Sequence, residues 1–219
     1  MEFAAARRIM VGNQIRTYDV TQQAILSAFE TVPRELFVMP EQRVVAYGDL
    51  PLTVTAGQTA RVLLPPLVLA RMMQAAGLKA GDKVLLVGGG TGYAAAIAAS
   101  IGAEPTLIED SEAMAGAARK ALAAAGAEHV KVVAGDFAHG HEGAGSYSLI
   151  FVEGAVESVP EALAAQLVDE GRLICVIGKG RSGRVTLYVK HDGKLSGKAV
   201  FDAAAPVLAE FRREPGFVF

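Results

Sequence analysis

One corner of the chain, Gly88-Gly89-Gly90-Thr91-Gly92, has the residue types and spacing needed to bind a ligand through the backbone. It follows the apolar run 84–87 and precedes an alanine-rich stretch, which is the order of a buried strand, a tight turn and a helix. Glycine has no Cβ and tolerates positive φ, so a ligand can approach the main chain closely there. Glu109 and Asp110 follow the next apolar run, about 20 residues on, where a carboxylate accepts hydrogen bonds from ribose hydroxyls. The pattern predicts an adenosine-containing cofactor.

The elements that must position this corner follow from apolar runs and their periodicity. We predict strands at 83–87, 105–109, 130–134, 148–152 and 172–177, and helices at 92–101, 112–125 and 159–168. Gly126 and Gly171 are predicted to follow helix ends. Continuous apolar strands that alternate with helices indicate a parallel sheet covered on both faces. Residues 185–190 and 195–201 flank Asp192-Gly193, which predicts an antiparallel hairpin.

The N-terminal part has a different pattern. Residues 1–47 are predicted to be helical, with Thr21 capping the second helix and Pro33 ending it. Residues 48–64 are predicted to be irregular or short-stranded. Pro65-Pro66 is expected to begin another helix, which Gly77 would end.

These elements predict the fold class α/β. The expected architecture is a Rossmann-like, doubly wound and mostly parallel sheet closed by a C-terminal antiparallel hairpin, with an N-terminal helical extension. We predict a single domain over 1–219, in which 1–78 form the extension and 79–219 form the core. The tail 201–219 is rich in alanine and phenylalanine and is expected to pack on the core or on a partner chain.

Composition narrows the classes of partner. The chain has 219 residues, 52% of them hydrophobic, and a formal net charge of −2, which gives no electrostatic reason to expect nucleic acid. Its apolar stretches are shorter than a membrane span, and its first residues do not resemble a signal peptide, so we predict a cytoplasmic protein without membrane contact. Cys175 lies in an apolar run and is expected to be a core residue. His139 and His141 have no third ligand at a useful spacing, so no metal is predicted.

The glycines alone allow two cofactor registers. Gly88-x-Gly90-x-Gly92 has the spacing used by S-adenosylmethionine-dependent methyltransferases, whereas Gly90-x-Gly92-x-x-Ala95 fits a dinucleotide fingerprint. Three features favour the methyltransferase. Gly88 directly follows its strand, Asp136 ends the third strand where an acid would face the adenine, and the parallel sheet is closed by a hairpin with one antiparallel strand inserted. We therefore predict S-adenosyl-L-methionine as the cofactor, ahead of a nicotinamide oxidoreductase.

Motifs outside the corner resemble those of the protein-L-isoaspartate O-methyltransferase family, class I S-adenosylmethionine-dependent enzymes. The similar stretches are Val32-Pro33-Arg34-Glu35-Leu36-Phe37-Val38, Ala46-Tyr47-Gly48-Asp49-Leu50-Pro51-Leu52, Gly57-Gln58-Thr59, Gly81-Asp82-Lys83-Val84-Leu85 and Gly171-Arg172-Leu173. The similarity extends over roughly 10–190 and is that of a divergent bacterial member.

The resemblance implies an activity and a role for each matching residue. The expected reaction is transfer of a methyl group from S-adenosylmethionine to the carboxylate of isoaspartyl residues in damaged proteins, whose polypeptide is the partner. The implied cofactor-binding residues are Gly88, Gly89, Gly90, Thr91, Gly92, Glu109, Asp136 and Phe137. Gln58 and Thr59 would line the acceptor side.

The chain also departs from the family pattern. Arg61 follows Ala60 where the family has a serine, Leu86 replaces an acid on the strand before the glycines, and Ser148 replaces an aspartate. These departures leave two alternatives open: a paralogue with another acceptor, and a catalytically silent binding or scaffold protein. Arg61 is expected on a solvated loop, with carboxylate binding as the alternative. Glu153 either faces the cofactor crevice or caps a turn.

Overall fold

A computed structural model of the chain describes residues 2–143, 145–178 and 182–211. The α-helices are α1 Phe3–Met10, α2 Gln23–Thr31, α3 Pro66–Ala75, α4 Tyr93–Ile101, α5 Glu112–Ala124 and α6 Glu161–Ala165. The strands are β1 Leu52–Ala56, β2 Thr59–Leu63, β3 Lys83–Val87, β4 Glu104–Glu109, β5 Lys131–Ala134, β6 Tyr147–Val156, β7 Leu167–Ile177, β8 Arg184–His191 and β9 Lys194–Asp202. Short 3₁₀ segments lie at Arg16–Tyr18, Arg34–Leu36, Pro40–Val45 and Ala209–Phe211, and a π-helical turn at Val11–Ile15.

Strands β3 to β9 form one sheet in the order β5-β4-β3-β6-β7-β8-β9. The pairs from β5 through β7 are parallel, and β8 runs antiparallel to both of its neighbours. The chain builds the sheet outward from β3 to β5 and then crosses to β6 on the other side of β3. The carboxyl ends of β3 and β6 therefore mark the switch point at which such sheets bind ligands. The predicted fold class is confirmed.

Both faces of the sheet are covered, as its apolar strands require. Along β3 the side chains alternate, so that Val84 and Leu86 pack into one buried cluster and Leu85 and Val87 into another. Cys175 is fully buried, as predicted.

The N-terminal segment lies over the glycine corner. Strands β1 and β2 form a two-stranded antiparallel hairpin, which confirms the short strands expected at 48–64. A Cβ built on Gly90 would lie 3.1 Å from Val54 and 3.3 Å from Leu63, one residue on each strand of the hairpin. The β1–β2 hairpin therefore closes the crevice above the carboxyl end of β3.

Two predicted helix boundaries are wrong. Helix α2 has Gln22 at its N-cap with no side-chain cap, because Gln74 Oε1 accepts the backbone N–H groups of both Thr21 and Gln22. Gly171 follows no helix and lies inside β7. There the pairing with β6 shifts and Glu170 has a φ of 59°, so the chain bulges where a helix end was expected.

The described ranges contain no helix that is long and apolar enough to cross a membrane. Of the tail, Ala205, Leu208 and Phe211 are buried, and 212–219 lie outside the described residues.

Candidate nucleoside-binding site

The glycine corner has the backbone conformation that its sequence predicts. Gly88, Gly90 and Gly92 have φ values of 73°, 61° and 92°, in the left-handed region that other residues rarely adopt. Gly92 is the N-cap of α4. Thr91 Oγ1 donates a hydrogen bond to the carbonyl of Phe37, which connects the corner to the family-like segment of the N-terminal extension.

Glu109 ends β4, next to the corner, and is fully buried. Its Oε1 accepts a hydrogen bond of 2.5 Å from the backbone N–H of Gly90. Burial raises the pKa of Glu109 to about 8, although the Arg61 guanidinium and the Gly90 N–H lower it. The carboxylate predicted to bind a ribose therefore lies against the glycine corner.

Arg61, on β2, lies between the two acids Glu109 and Asp110 and the buried ring of Phe137. Its Nε lies 3.2 Å from Glu109 Oε2, and its Nη2 contacts Asp110 Oδ2. Its Cζ lies 5.0 Å from the centroid of the Phe137 ring, and its side chain is 12% exposed. The expectation of a solvated loop arginine is wrong, because two carboxylates lie within reach of its planar guanidinium.

Glu153 of β6 approaches the corner from the other side. It is 3% exposed, and its Oε1 contacts the position that a Cβ on Gly89 would fill. That oxygen has no hydrogen-bond partner among the described residues. Burial raises the pKa of Glu153 to about 8, with the charge of Glu109 acting in the same direction and that of Arg34 opposing it. Of the two alternatives, Glu153 faces the crevice.

Asp136 and Phe137 follow β5 and differ in exposure. Phe137 is fully buried beneath Arg61, and its ring also stacks on Phe211 with centroids 6.4 Å apart. The Asp136 side chain is 53% exposed, and its Oδ1 accepts the Ala138 N–H at 2.8 Å. Asp136 thus stabilises a turn, and its role at an adenine stays a prediction.

The two predicted acceptor residues lie at the turn of the β1–β2 hairpin. Gln58 is exposed, and Thr59 Oγ1 donates to Ser111 Oγ at 2.8 Å. Ser111 also caps α5, since its side chain accepts the Met114 N–H. Thr59 therefore fixes the turn of the hairpin onto α5, and no contact in the described residues tests its role toward an acceptor.

The chemistry of this crevice fits an adenosine-containing cofactor. Gly89 and Gly90 have no side chains to block a ligand, and the carboxylate of Glu109 can accept hydrogen bonds from ribose hydroxyls. The Phe137 ring, which Arg61 covers, would offer a flat apolar surface to a base once the guanidinium has moved. The guanidinium of Arg61 lies on the same carboxylate, so it must leave Glu109 before a ribose can bind there. Sequence analysis did not identify this contact.

The two raised pKa values predict how stability depends on pH. In the unfolded chain a glutamate has a pKa near 4.3, so between about pH 4 and pH 8 the folded chain holds more protons. The free energy of unfolding contributed by Glu153 is therefore fully present below about pH 4 and is lost as pH rises through 8. We expect Glu153→Gln to reduce the fall in stability between pH 5 and pH 8, by about 1 kcal/mol per pH unit.

Urea unfolding of the native protein and of Glu153→Gln at pH 5, 6.5 and 8 measures this effect. Glu161→Gln, at an exposed position in the first turn of α6, is the control and should follow the native curve. Parallel pH profiles for Glu153→Gln and the native protein would contradict the expected protonation of Glu153.

The sheet order and this crevice together place the chain in the Rossmann-like α/β class, with its candidate site at the switch point of the sheet. Comparison with known proteins defines the family. The model of the protein-L-isoaspartate(D-aspartate) O-methyltransferase family matches residues 6–205. The chain belongs to this family, as its sequence motifs predict.

Individual relatives agree with the family match. The chain is 37% identical over 213 residues to protein-L-isoaspartate O-methyltransferase 1 of Rhodopseudomonas palustris strain HaA2, covering 97% of this chain and 83% of that protein. It is 41% identical over 191 residues to the Methylorubrum extorquens strain PA1 protein of that family name, covering 87% and 82%.

Solved structures support the fold. A protein-L-isoaspartate O-methyltransferase structure matches with a TM-score of 0.82 and 29% identity, covering 92% of this chain and 66% of that one. This chain therefore matches about two thirds of the length of that longer chain. A Plasmodium falciparum structure in complex with S-adenosyl-L-homocysteine has a TM-score of 0.79 at 17% identity, which supports the fold alone.

Proposed function

We propose that this protein is an S-adenosylmethionine-dependent methyltransferase that methylates the carboxylate of isoaspartyl residues in damaged proteins. Family membership supports the reaction. The observation that carries the cofactor assignment is the buried Glu109 carboxylate beside the Gly90 N–H, at the switch point of the sheet.

The proposed reaction makes modest demands on the chain. The cofactor supplies a methyl group already activated on a sulfonium, and an ionised acceptor carboxylate is already a nucleophile. The residues of the crevice therefore need no strong general base. Their contribution is to orient the two reactants and to exclude water while charge is neutralised. The β1–β2 hairpin, which lies over the glycine corner, is placed to exclude that water.

The proposed roles follow the sequence motifs. We assign the cofactor to Gly88, Gly89, Gly90, Thr91, Gly92, Glu109, Asp136 and Phe137. Gln58 and Thr59 line the acceptor side in this proposal. The extension 1–78 and the core 79–219 act as one domain, the damaged polypeptide is the partner, and the reaction takes place in the cytoplasm.

Two measurements test the proposal. Calorimetric titration should show binding of S-adenosylmethionine and no binding of NAD. A methyl-transfer assay should then show turnover of an isoaspartyl peptide and none of the same peptide with a normal aspartyl residue. A folded protein that binds no S-adenosylmethionine would leave only a scaffold role.

One observation favours a second candidate, a methyltransferase of this family with a different acceptor. Arg61 stands where the family resemblance places a serine on the acceptor side, and its side chain contacts Glu109 and Asp110. A guanidinium that is released from these acids when the cofactor binds could select a second carboxylate or a phosphate. Binding of S-adenosylmethionine without turnover of the isoaspartyl peptide would support this candidate.

A further inference from the structure

The strand before the glycine corner lacks an acid that the family resemblance places there. Leu86 occupies that position on β3, and it is buried with 1% of its surface exposed. Its neighbour on β6 is Phe151, with which it is in register. An apolar residue at this position removes a carboxylate from the part of the crevice below the glycines.

Glu153 places a carboxylate in the same part of the crevice from the adjacent strand. Leu86 and Phe151 pack into the same buried cluster, so they share one face of the sheet. Side chains two residues apart on a strand point to the same face, and Glu153 follows Phe151 by that interval. Glu153 Oε1 lies against the position that a Cβ on Gly89 would fill, which confirms that the Glu153 side chain points to this face of the sheet.

Among the described residues, Oε1 of Glu153 has no hydrogen-bond partner that would satisfy a buried acid. The charge of Arg34, from the N-terminal extension, acts on Glu153, but the Nε and Nη2 of Arg34 donate to the carbonyls of Ala46 and Leu64. Buried polar atoms are usually satisfied, so an unpaired carboxyl oxygen directed at the glycine corner indicates a hydrogen-bond acceptor for a ligand.

We propose that Glu153 binds the α-ammonium group of the amino-acid portion of S-adenosylmethionine, in place of the acid that is missing at position 86. The inference rests on the proposed function. Glu109 receives the ribose at one end of the glycine corner, and Glu153 receives the ammonium at the other. Placing the carboxylate on β6 keeps the charge complementarity of the crevice toward a cationic cofactor, while β3 has only apolar residues from Val84 to Val87.

The charged groups around Glu153 predict a proton exchange on binding. Glu109 faces it from β4, Arg34 from the 3₁₀ segment Arg34–Leu36, and Arg61 from β2 lines the same small cavity. Burial raises the pKa of Glu153 to about 8, so its carboxyl is protonated at neutral pH. An ammonium group that binds there favours the ionised form, and the proton leaves to solvent.

Titration of two ligands tests the inference. S-adenosylhomocysteine carries the amino-acid portion, whereas 5′-methylthioadenosine has the nucleoside and the sulfur without it. We expect Glu153→Gln to lower the affinity for S-adenosylhomocysteine by about tenfold. Its affinity for 5′-methylthioadenosine should change by less than about twofold. The native protein should release a proton with S-adenosylhomocysteine, measured in buffers of different ionisation enthalpy, and Glu153→Gln should not.

The controls separate this inference from the proposed function. Glu161→Gln should bind both ligands as the native protein does, and circular dichroism should show that Glu153→Gln is folded. If Glu153→Gln lowers the affinity for both ligands equally, or lowers neither, the proposed role of Glu153 is overturned. A native protein that binds neither ligand would instead overturn the proposed function.

Discussion

Glu109→Ala is expected to weaken the binding of S-adenosylmethionine by about a hundredfold, which corresponds to about 3 kcal/mol. The reason is the loss of two charge-assisted hydrogen bonds between the buried carboxylate and the ribose hydroxyls. The same side chain accepts the Gly90 N–H, so its removal also leaves a donor of the corner without a partner. Both losses act on the nucleoside half of the ligand.

Calorimetry on three variants isolates the contribution of the charge. Glu109→Gln keeps the shape and the hydrogen-bonding oxygen, so it should retain more affinity than Glu109→Ala. Glu104→Ala, at the exposed opposite end of β4, should bind as tightly as the native protein. In contrast to Glu153→Gln, Glu109→Ala should weaken 5′-methylthioadenosine as strongly as S-adenosylmethionine. Native affinity in Glu109→Ala would show that the ribose does not bind at β4.

The core of the fold could be predicted because each signal is local. The apolar run 84–87 ends in glycines with positive φ, and the structure has β3 at Lys83–Val87 and α4 from Tyr93. Asp192-Gly193 likewise supplies a two-residue turn between β8 and β9. In both cases the residues that decide the conformation lie within a few positions of the turn.

The errors arise where distant residues decide the structure. Arg61 and Glu109 are separated by 48 positions, and only the placement of the β1–β2 hairpin brings them together. The backbone of Thr21 is bound by Gln74, from a helix 53 positions later, so a capping side chain is unnecessary. The bulge at Gly171 depends on register with β6, which local pattern does not encode.

The same division holds for the candidate site: residues set by local pattern could be predicted, and contacts between distant residues could not. Glu109 and the glycines follow from the strand–turn–helix pattern, because parallel strands bring their carboxyl ends to one edge. The orientation of Glu153 depends on the pairing of β6 with β3. The sequence shows the missing acid at position 86 and names Glu153 as a candidate for the crevice, but the pairing of β3 with β6 was needed to decide between its two alternatives.

Arg61→Ala is expected to have the opposite effect to Glu109→Ala and to tighten S-adenosylmethionine binding by about thirtyfold, or about 2 kcal/mol. In the free protein the guanidinium pairs with Glu109 and Asp110 at the place where the ribose must bind. Alanine leaves both acids without that partner, so the free state rises in energy. The bound state loses nothing at these acids, because the ligand has already displaced the arginine.

The competition between Arg61 and the ligand also predicts a change in stability that accompanies the gain in affinity. Without ligand, Arg61→Ala should melt at a lower temperature than the native protein, and saturating S-adenosylmethionine should raise its melting temperature by a larger amount. Burial raises the pKa of Glu109 to about 8, and loss of Arg61 favours its protonation further, so titration at pH 7 and at pH 9 shows how far the protonation of Glu109 affects binding. Arg43→Ala, at an exposed position, is the matched control. If Arg61→Ala binds the cofactor more weakly than the native protein does, Arg61 holds the ligand and does not compete with it.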